Sequence, residues 1–282
     1  MKNLIQSIMA ATAFVFLLMG CQKMDRPALG NYPEDVNTPG GPLKFYAAFD
    51  GTSDDPLRNA VDSIRANFAS SNPYTTIDGV NGKAVQSVDK KFIKYQKPND
   101  WASTAKSFTI SCWYKKDGQT KNNAGGNGPE YIMSFKSNNG HWSGGSFLLM
   151  LEGNNAACAV KVMVVDKDMH DAWFTWEGGN TIPGLLDNQW HHLAIVYDNT
   201  TSTMKLYING VQNPIVPSWG GHGDINMSDA AISEMRVGAG PQNNFDSDDW
   251  LSSSLKGALD QLRLYGVALT ASEVSALYTN HE

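Results

Sequence analysis

This 282-residue chain predicts an all-β fold of two packed antiparallel sheets, and three observations carry that expectation. Apolar and polar residues alternate with a period of two in several short runs, as half-buried strands do. Gly, Asn and Asp separate those runs at turns. Helical spacing is scarce, so the strands must bury their apolar faces mainly against another sheet.

The elements follow in order along the chain. Leu43, Phe45, Ala47 and Phe49 alternate with Lys44, Tyr46 and Ala48, which makes a first strand. Between Pro56 and Asn67, Leu57, Val61 and Ile64 are spaced for one face of a short helix. Cys112 is in register with Phe108 and Ile110, and Cys158 with Val160, Val162 and Val164, so both thiols point to the apolar side. They are expected as unpaired core residues behaving as small hydrophobes. A disulfide, which an export compartment permits, would need their α-carbons close together. Asp166 and Asp168 follow the apolar run Val162 to Val165 and mark a hairpin end. Met204, Leu206 and Ile208 alternate with Lys205 and Tyr207, and Asn209-Gly210 before Val211 predicts a two-residue hairpin, because a type I′ turn needs positive φ at both positions. Leu262 and Leu264 alternate with Arg263 and Tyr265 in a closing strand. Thr270 and Glu273 then fit a capping box, and Val274, Leu277 and Tyr278 would pack the last helix on the sandwich.

At the N-terminus, Lys2 precedes an apolar run from Ile8 to Met19, and Leu18-Met19-Gly20-Cys21 resembles the lipobox cleaved before a lipid-modified cysteine in bacterial lipoproteins. The alternatives are a plain signal peptide or a membrane helix. The run is shorter than the ~20 apolar residues that span a bilayer, and Gly20 favours lipidation of Cys21. Residues 1–20 are therefore expected to be a lipoprotein signal peptide. Residues 21–42, rich in Pro, Gly, Asn and charge, are a flexible linker, and 43–282 are one domain. Gln22 rather than Asp after the cysteine implies, by the same resemblance, a lipid anchor in the bacterial outer membrane, periplasmic or surface-facing. With a net charge of −6 and no basic stripe, nucleic acid is not an expected partner. No internal repeat is evident, and the absence of Cys-x-x-Cys argues against structural zinc.

The run KGALDQLRLYGVALTASEVSALY, from Lys256 to Tyr278, carries a strand with one acid through a turn into a capped helix. Before it, in order, stand Phe49-Asp50-Gly51, Gly79-Val80-Asn81-Gly82-Lys83-Ala84-Val85, the run Ser107 to Trp113, the run Trp190 to Asp198, and Lys205 to Gly210. Together these resemble the laminin-G-like domains of the concanavalin A-like jelly-roll superfamily. The resemblance implies a two-sheet jelly-roll sandwich with a short C-terminal helix that binds glycans or proteins at cell surfaces. It also implies calcium, because in such domains an acid after the first strand and another on the closing strand often lie near one ion. Asp50 and Asp260 hold those positions. Calcium takes oxygen ligands, and Asp260, between Leu259 and Leu262, needs a cation or several donors if buried. Alternatively, backbone amides, Arg263 or Arg236 satisfy it, and Asp50 merely begins a turn. Asp224, Asn226 and Asp229 form a second oxygen-rich cluster without the spacing or terminal Glu of a calcium loop, and are read as solvated loop residues.

Sugar sites combine aromatic platforms with polar partners. Trp113 and Trp190 match the family's structural tryptophans and are assigned to packing. Trp142, Trp173, Trp176, Trp219 and Trp250 sit mostly among Gly, Ser, His, Asp and Asn, where binding residues often reside, and His222 accompanies Trp219. These six are the candidate glycan-binding residues; the alternative is that the tryptophans pin loops to the sandwich. The Glu-x-Asp-x-x-Glu strand motif of related glucanases is absent, and Glu130, Glu152, Glu177 and Glu234 are scattered. His191 and His192 are neighbours on a strand and so face opposite ways, with no nucleophile beside them. The expectation is a lipid-anchored envelope protein that binds a poly- or oligosaccharide without cleaving it. Its rivals are a polysaccharide hydrolase or lyase whose site is assembled from distant loops, and an adhesion or assembly module whose partners are other envelope proteins.

Overall fold

Two antiparallel sheets face one another in the computed structural model, which describes residues 41–50, 73–98, 100–123, 126–139, 142, 144–245 and 249–281. The expected signal peptide, Cys21, nearly all of the 21–42 linker, the Pro56 to Asn67 helix and His141 lie outside the described residues. In chain order the strands are β1 (Leu43–Ala47), β2 (Thr75–Asp78), β3 (Lys83–Gln86), β4 (Ile93–Tyr95), β5 (Phe108–Asp117), β6 (Asn122–Asn123), β7 (Gly126–Asn127) and β8 (Glu130–Ser137). They continue with β9 (Gly145–Asn154), β10 (Ala157–Val165), β11 (Asp171–Trp176), β12 (Asp187–Asp198), β13 (Thr203–Ile208), β14 (Val211–Gln212), β15 (Ile232–Val237) and β16 (Ala258–Tyr265). The first sheet runs β14-β13-β12-β5-β16-β3-β2, with β1 also paired to β16, and the second runs β11-β10-β9-β8-β15-β4. This is the antiparallel jelly-roll sandwich that the sequence predicts.

Between the sheets, Phe45, Ile110, Cys112, Leu193, Ile195 and Leu264 of the first meet Phe135, Phe147, Leu149, Val162 and Phe174 of the second. Trp101, on the short helix α1 (Trp101–Thr104), sits edge-on to Phe108 and Phe135 with ring centroids 5.4 and 5.2 Å away. Cys112 and Cys158 are both free and buried, and burial pushes each thiol up to about 12.

The local signals resolve as expected. Asn209 and Gly210 take φ of 51° and 76° between the paired residues Ile208 and Val211, as a type I′ hairpin requires. Helix α2 (Ala271–Asn280) opens on a complete capping box, the Glu273 amide donating to Thr270 Oγ1 and the Thr270 amide donating to Glu273 Oε2. Its Val274 seats on Ala194, Val196 and Tyr207 of the first sheet's outer face, and its Tyr278 stacks on Trp113 at 5.5 Å. Asp166 closes the β10–β11 hairpin, its Oδ1 accepting from the amides of Asp168 and His170, each at 2.8 Å. His192 is buried with Nε2 2.8 Å from Ser111 Oγ, while His191 Nε2 lies 2.9 Å from Asp187 Oδ1. Burial depresses the His192 imidazole to about 3 and keeps it neutral.

Strands β9 and β10 depart from simple alternation because both of their faces are covered. Leu149, Leu151, Val160, Val162 and Val164 face the core, while Leu148, Met150, Met163 and Val165 join Tyr131 and Leu251 in a second apolar cluster on the outer side. A strand buried on both faces reads as a continuous apolar run.

Candidate functional site

The outer face of the second sheet carries a groove of about 330 Å³ lined by Pro129, Met150, Glu152, Lys161, Trp173, Thr175, Glu177 and Trp250. Strand parity explains the lining. On β11, Phe174 and Trp176 point into the core, so Trp173 and Thr175 point out. The register pairs Lys161 of β10 with Met150 of β9 on one side and Thr175 of β11 on the other. Lys161 Nζ lies 2.8 Å from Glu152 Oε2 and 2.7 Å from Glu177 Oε2. Its hydrogen bond holds the Glu177 carboxyl below its ordinary range.

Trp173 and Trp250 line this groove, and Trp142 converges on both of them. Ring centroids are 5.4 Å apart for Trp142 and Trp173, 6.0 Å for Trp173 and Trp250, and 6.2 Å for Trp142 and Trp250. Trp142 is 37% exposed and takes a positive φ of 40°, a strained setting for a bulky residue. The connection from β15 to β16 delivers Trp250 across the sheet on a short turn, Trp250–Ser252, which Asp249 caps by accepting from the Leu251 amide at 2.9 Å. Leu251 fastens that turn to the outer apolar cluster.

A buried arginine anchors the same connection. Arg236 Nη1 donates to the carbonyls of Gly240 and Gln242 at 3.0 and 2.7 Å, Nε donates to Glu234 Oε1 at 2.6 Å, and the guanidinium lies 4.5 Å from the Phe92 ring centre. Ser134 Oγ adds a bond to the Ala239 carbonyl at 2.7 Å. At Gly240 a Cβ would come within 2.2 Å of the Leu251 carbonyl oxygen, so a side chain there would push the two halves of the connection apart.

The remaining tryptophan candidates lie elsewhere. Trp176 is completely buried in the core, donating from Nε1 to the Ile215 carbonyl at 2.9 Å, so its ring is not a surface platform. Both Trp173 and Trp176 belong to a strand rather than a loop, and their odd spacing puts them on opposite faces. Trp219 is half-buried against the core, edge-on to Phe174 at 6.2 Å and stacked on His222 at 3.6 Å. That pair holds the 213–225 segment to the sandwich, and among the described residues its ring contacts are with Phe174 and each other, away from the three converging tryptophans. Asp224 is engaged by Asn199 and Lys106, and Asp229 by Lys97, so the second oxygen-rich cluster is broken up into separate pairs.

Asp50 and Asp260 meet at the first sheet. Strands β1 and β3 share one edge of β16, β1 pairing Ala47 with Leu262 and β3 pairing Val85 with Leu259, so Asp260 falls where one neighbour gives way to the other. The Gly79 to Gly82 turn closes over that point. Asp260 Oδ2 accepts from the Val80 amide at 2.9 Å, and Asp50 Oδ1 accepts from the Lys83 amide at 3.0 Å. A Cβ on Gly79 would lie 2.4 Å from Asp260 Oδ2, and one on Gly82 2.2 Å from Asp50 Oδ1. Asp260 is fully buried, and its Oδ1 has no hydrogen-bond partner among the described residues. Burial, reinforced by the nearby Asp50 charge, pushes its carboxyl up to about 7 against the pull of the Val80 amide.

Neither Arg236 nor Arg263 pairs with Asp260. Arg236 lies in the second sheet, and Arg263 lies over the Tyr46 ring at 4.2 Å. The residues beside the two acids have positive φ, 60° at Phe49 and 48° at Gln261, the latter at the bulge between Asp260 and Arg263. Such outliers mark sites where surrounding structure holds strain. An unpartnered buried carboxylate oxygen next to a second acid suits a hard cation with oxygen ligands. Among the described residues no group of three or more His, Cys, Asp and Glu side chains surrounds such a point, so backbone carbonyls or water would complete a shell.

A family model described as the concanavalin A-like lectin/glucanases superfamily, of the laminin G-like type, matches residues 92–275. No curated protein sequence matches the chain. Among solved structures it is similar to domain 4 of an extracellular arabinanase from Geobacillus stearothermophilus, in complex with arabinotriose, at TM-score 0.55 and 21% identity over 84% of this chain and 98% of that one. It is also similar to the binding domain of botulinum neurotoxin serotype G, at TM-score 0.56 and 15% identity over 85% of this chain. There the match covers 51% of the other chain, so this fold accounts for about half of the toxin domain.

Proposed function

The chain belongs to the concanavalin A-like lectin/glucanases superfamily, and on that premise we propose that it is a lipid-anchored envelope protein that holds an oligosaccharide in the groove of its second sheet without cleaving it. The observation that carries this reading is the convergence of Trp142, Trp173 and Trp250 beside Glu152, Lys161 and Glu177. Indole faces take the apolar faces of sugar rings, and the carboxylates accept from hydroxyls. The arabinanase domain of the same fold is in complex with arabinotriose, which is in keeping with an oligosaccharide ligand. Binding rather than hydrolysis is in keeping with both groove carboxylates, Glu152 and Glu177, being bonded to Lys161 rather than free to flank a scissile bond. Asp50 and Asp260 would hold calcium at the Gly79 to Gly82 turn, where the ion would neutralise two adjacent carboxylates and fix the junction of β1, β3 and β16. The lipid on Cys21 would tether the domain to the outer membrane.

The test is a glycan array on the intact domain, with and without chelator, followed by titration calorimetry on Trp142→Ala, Trp173→Ala and Trp250→Ala. A sugar ring packs its C–H face on an indole face, and loss of such a platform ring should weaken binding at least tenfold while the chain stays folded. Release of reducing ends from any bound polysaccharide would instead support a hydrolase or lyase. Capture of an envelope protein with a silent array would favour the adhesion reading.

A further inference from the structure

Resting on that reading, the charge arrangement of the groove names a ligand class: we infer that it selects neutral glycans and rejects acidic ones. Lys161 is the only cation among the described lining residues, and it is recessed, with its side chain 20% exposed against 32% for Glu152 and 46% for Glu177. Two of its three ammonium donors are taken by the two carboxylates. Two negative groups against one positive leave the groove with net negative charge. Asp249, next to Trp250, adds the same sign.

A uronate, sialate or sulfate entering here meets carboxylates before it meets the ammonium. To bond Lys161 it must displace Glu152 or Glu177, leaving that carboxylate beside its own charge. A neutral sugar has no such cost: its hydroxyls donate to the outward carboxylate oxygens, and the free ammonium donor reaches a ring or hydroxyl oxygen. Specificity of this kind arises from repulsion of the wrong ligand as much as from attraction of the right one.

The experiment compares neutral hexaoses (arabino-, xylo-, cello- and manno-) with acidic ones (oligogalacturonide, hyaluronan and heparin fragments) at low salt. The best neutral ligand should bind at least tenfold tighter than any acidic one, and added salt should narrow the gap by screening. Glu152→Gln with Glu177→Gln leaves Lys161 unopposed and should turn the preference toward the acidic set. Lys161→Met should weaken acidic binding further, and it answers the question if the double variant fails to fold. Acidic glycans binding as tightly as neutral ones to the wild-type chain overturn the inference while leaving the glycan reading in place. Silence from both sets overturns the glycan reading and this inference with it.

Discussion

Asp260→Asn separates the energetic consequences of the paired-acid site from its shape. The substitution keeps an oxygen to accept from the Val80 amide and removes only the charge. In the native chain the Asp260 carboxyl sits at about 7, against an ordinary value of 3.8. Between those values the native state binds a proton that the unfolded chain has released, so stability falls as pH rises through that window. At ~1.4 kcal/mol per pH unit, the full difference amounts to at most about 4 kcal/mol above pH 7. For a domain of this size that corresponds to a melting shift on the order of 10 °C. In chelator, wild type and Asp260→Asn should therefore melt together near pH 4, and the variant should become progressively the more stable toward pH 8. Calcium at 100 times its Kd should return about 2.7 kcal/mol to the wild type and little to the variant. The calcium response should shrink below pH 7, where protons compete for Asp260. Melting curves by scanning calorimetry from pH 4 to 8, with calcium or chelator, give the answer. A gap that does not change with pH, or a variant less stable than wild type throughout, would refute the argument and make Asp260 an ordinary ionised acceptor.

Trp176→Ala should lower stability by about 3 to 5 kcal/mol, the usual range for truncating a buried aromatic, and chemical denaturation should show Trp142→Ala costing far less. Arg236→Met removes the guanidinium that holds the Gly240 and Gln242 carbonyls and one partner of Glu234; a loss of about 3 kcal/mol is expected for breaking a buried pair. Calorimetric titration should also show weaker glycan binding, because Trp250 rides on that connection, and unchanged affinity would show that Leu251 alone positions it. Cys21→Ser should abolish acyl mass and membrane partitioning; a wild-type chain without acyl mass in mass spectrometry would remove the anchor from the proposal.

The sequence made legible those parts of the fold whose causes are local. Asn209-Gly210 demands its hairpin through backbone conformation alone, and Thr270 with Glu273 closes a helix end within four residues. Asp260 is legible too, because a carboxylate between Leu259 and Leu262 is costly wherever the strand goes, whereas only the family resemblance pairs it with Asp50. What strand parity offered and composition obscured was the division of the β11 tryptophans. Trp173, Phe174, Thr175 and Trp176 alternate out and in, yet the polar residues around them suggested a loop.

The groove itself depends on register, which no single segment encodes. Glu152, Lys161 and Glu177 belong to three strands or their ends and become neighbours only when β9, β10 and β11 align. One signal was present: Lys161 interrupts the otherwise apolar run Val160 to Val165. On a strand covered on both faces, such a lysine must find partners, as Asp260 must on β16. The same reasoning extends to Arg236 among Met235 and Val237. Each of these three charges stands in a strand that packing alone would have filled with an apolar residue. Each coincides with a junction: Asp260 between β1 and β3, Arg236 under the connection bearing Trp250, and Lys161 at the floor of the groove. In a sandwich whose apolar contacts are spread across two sheets, a charge within an otherwise apolar strand must be met by specific partners, and those partners define a place.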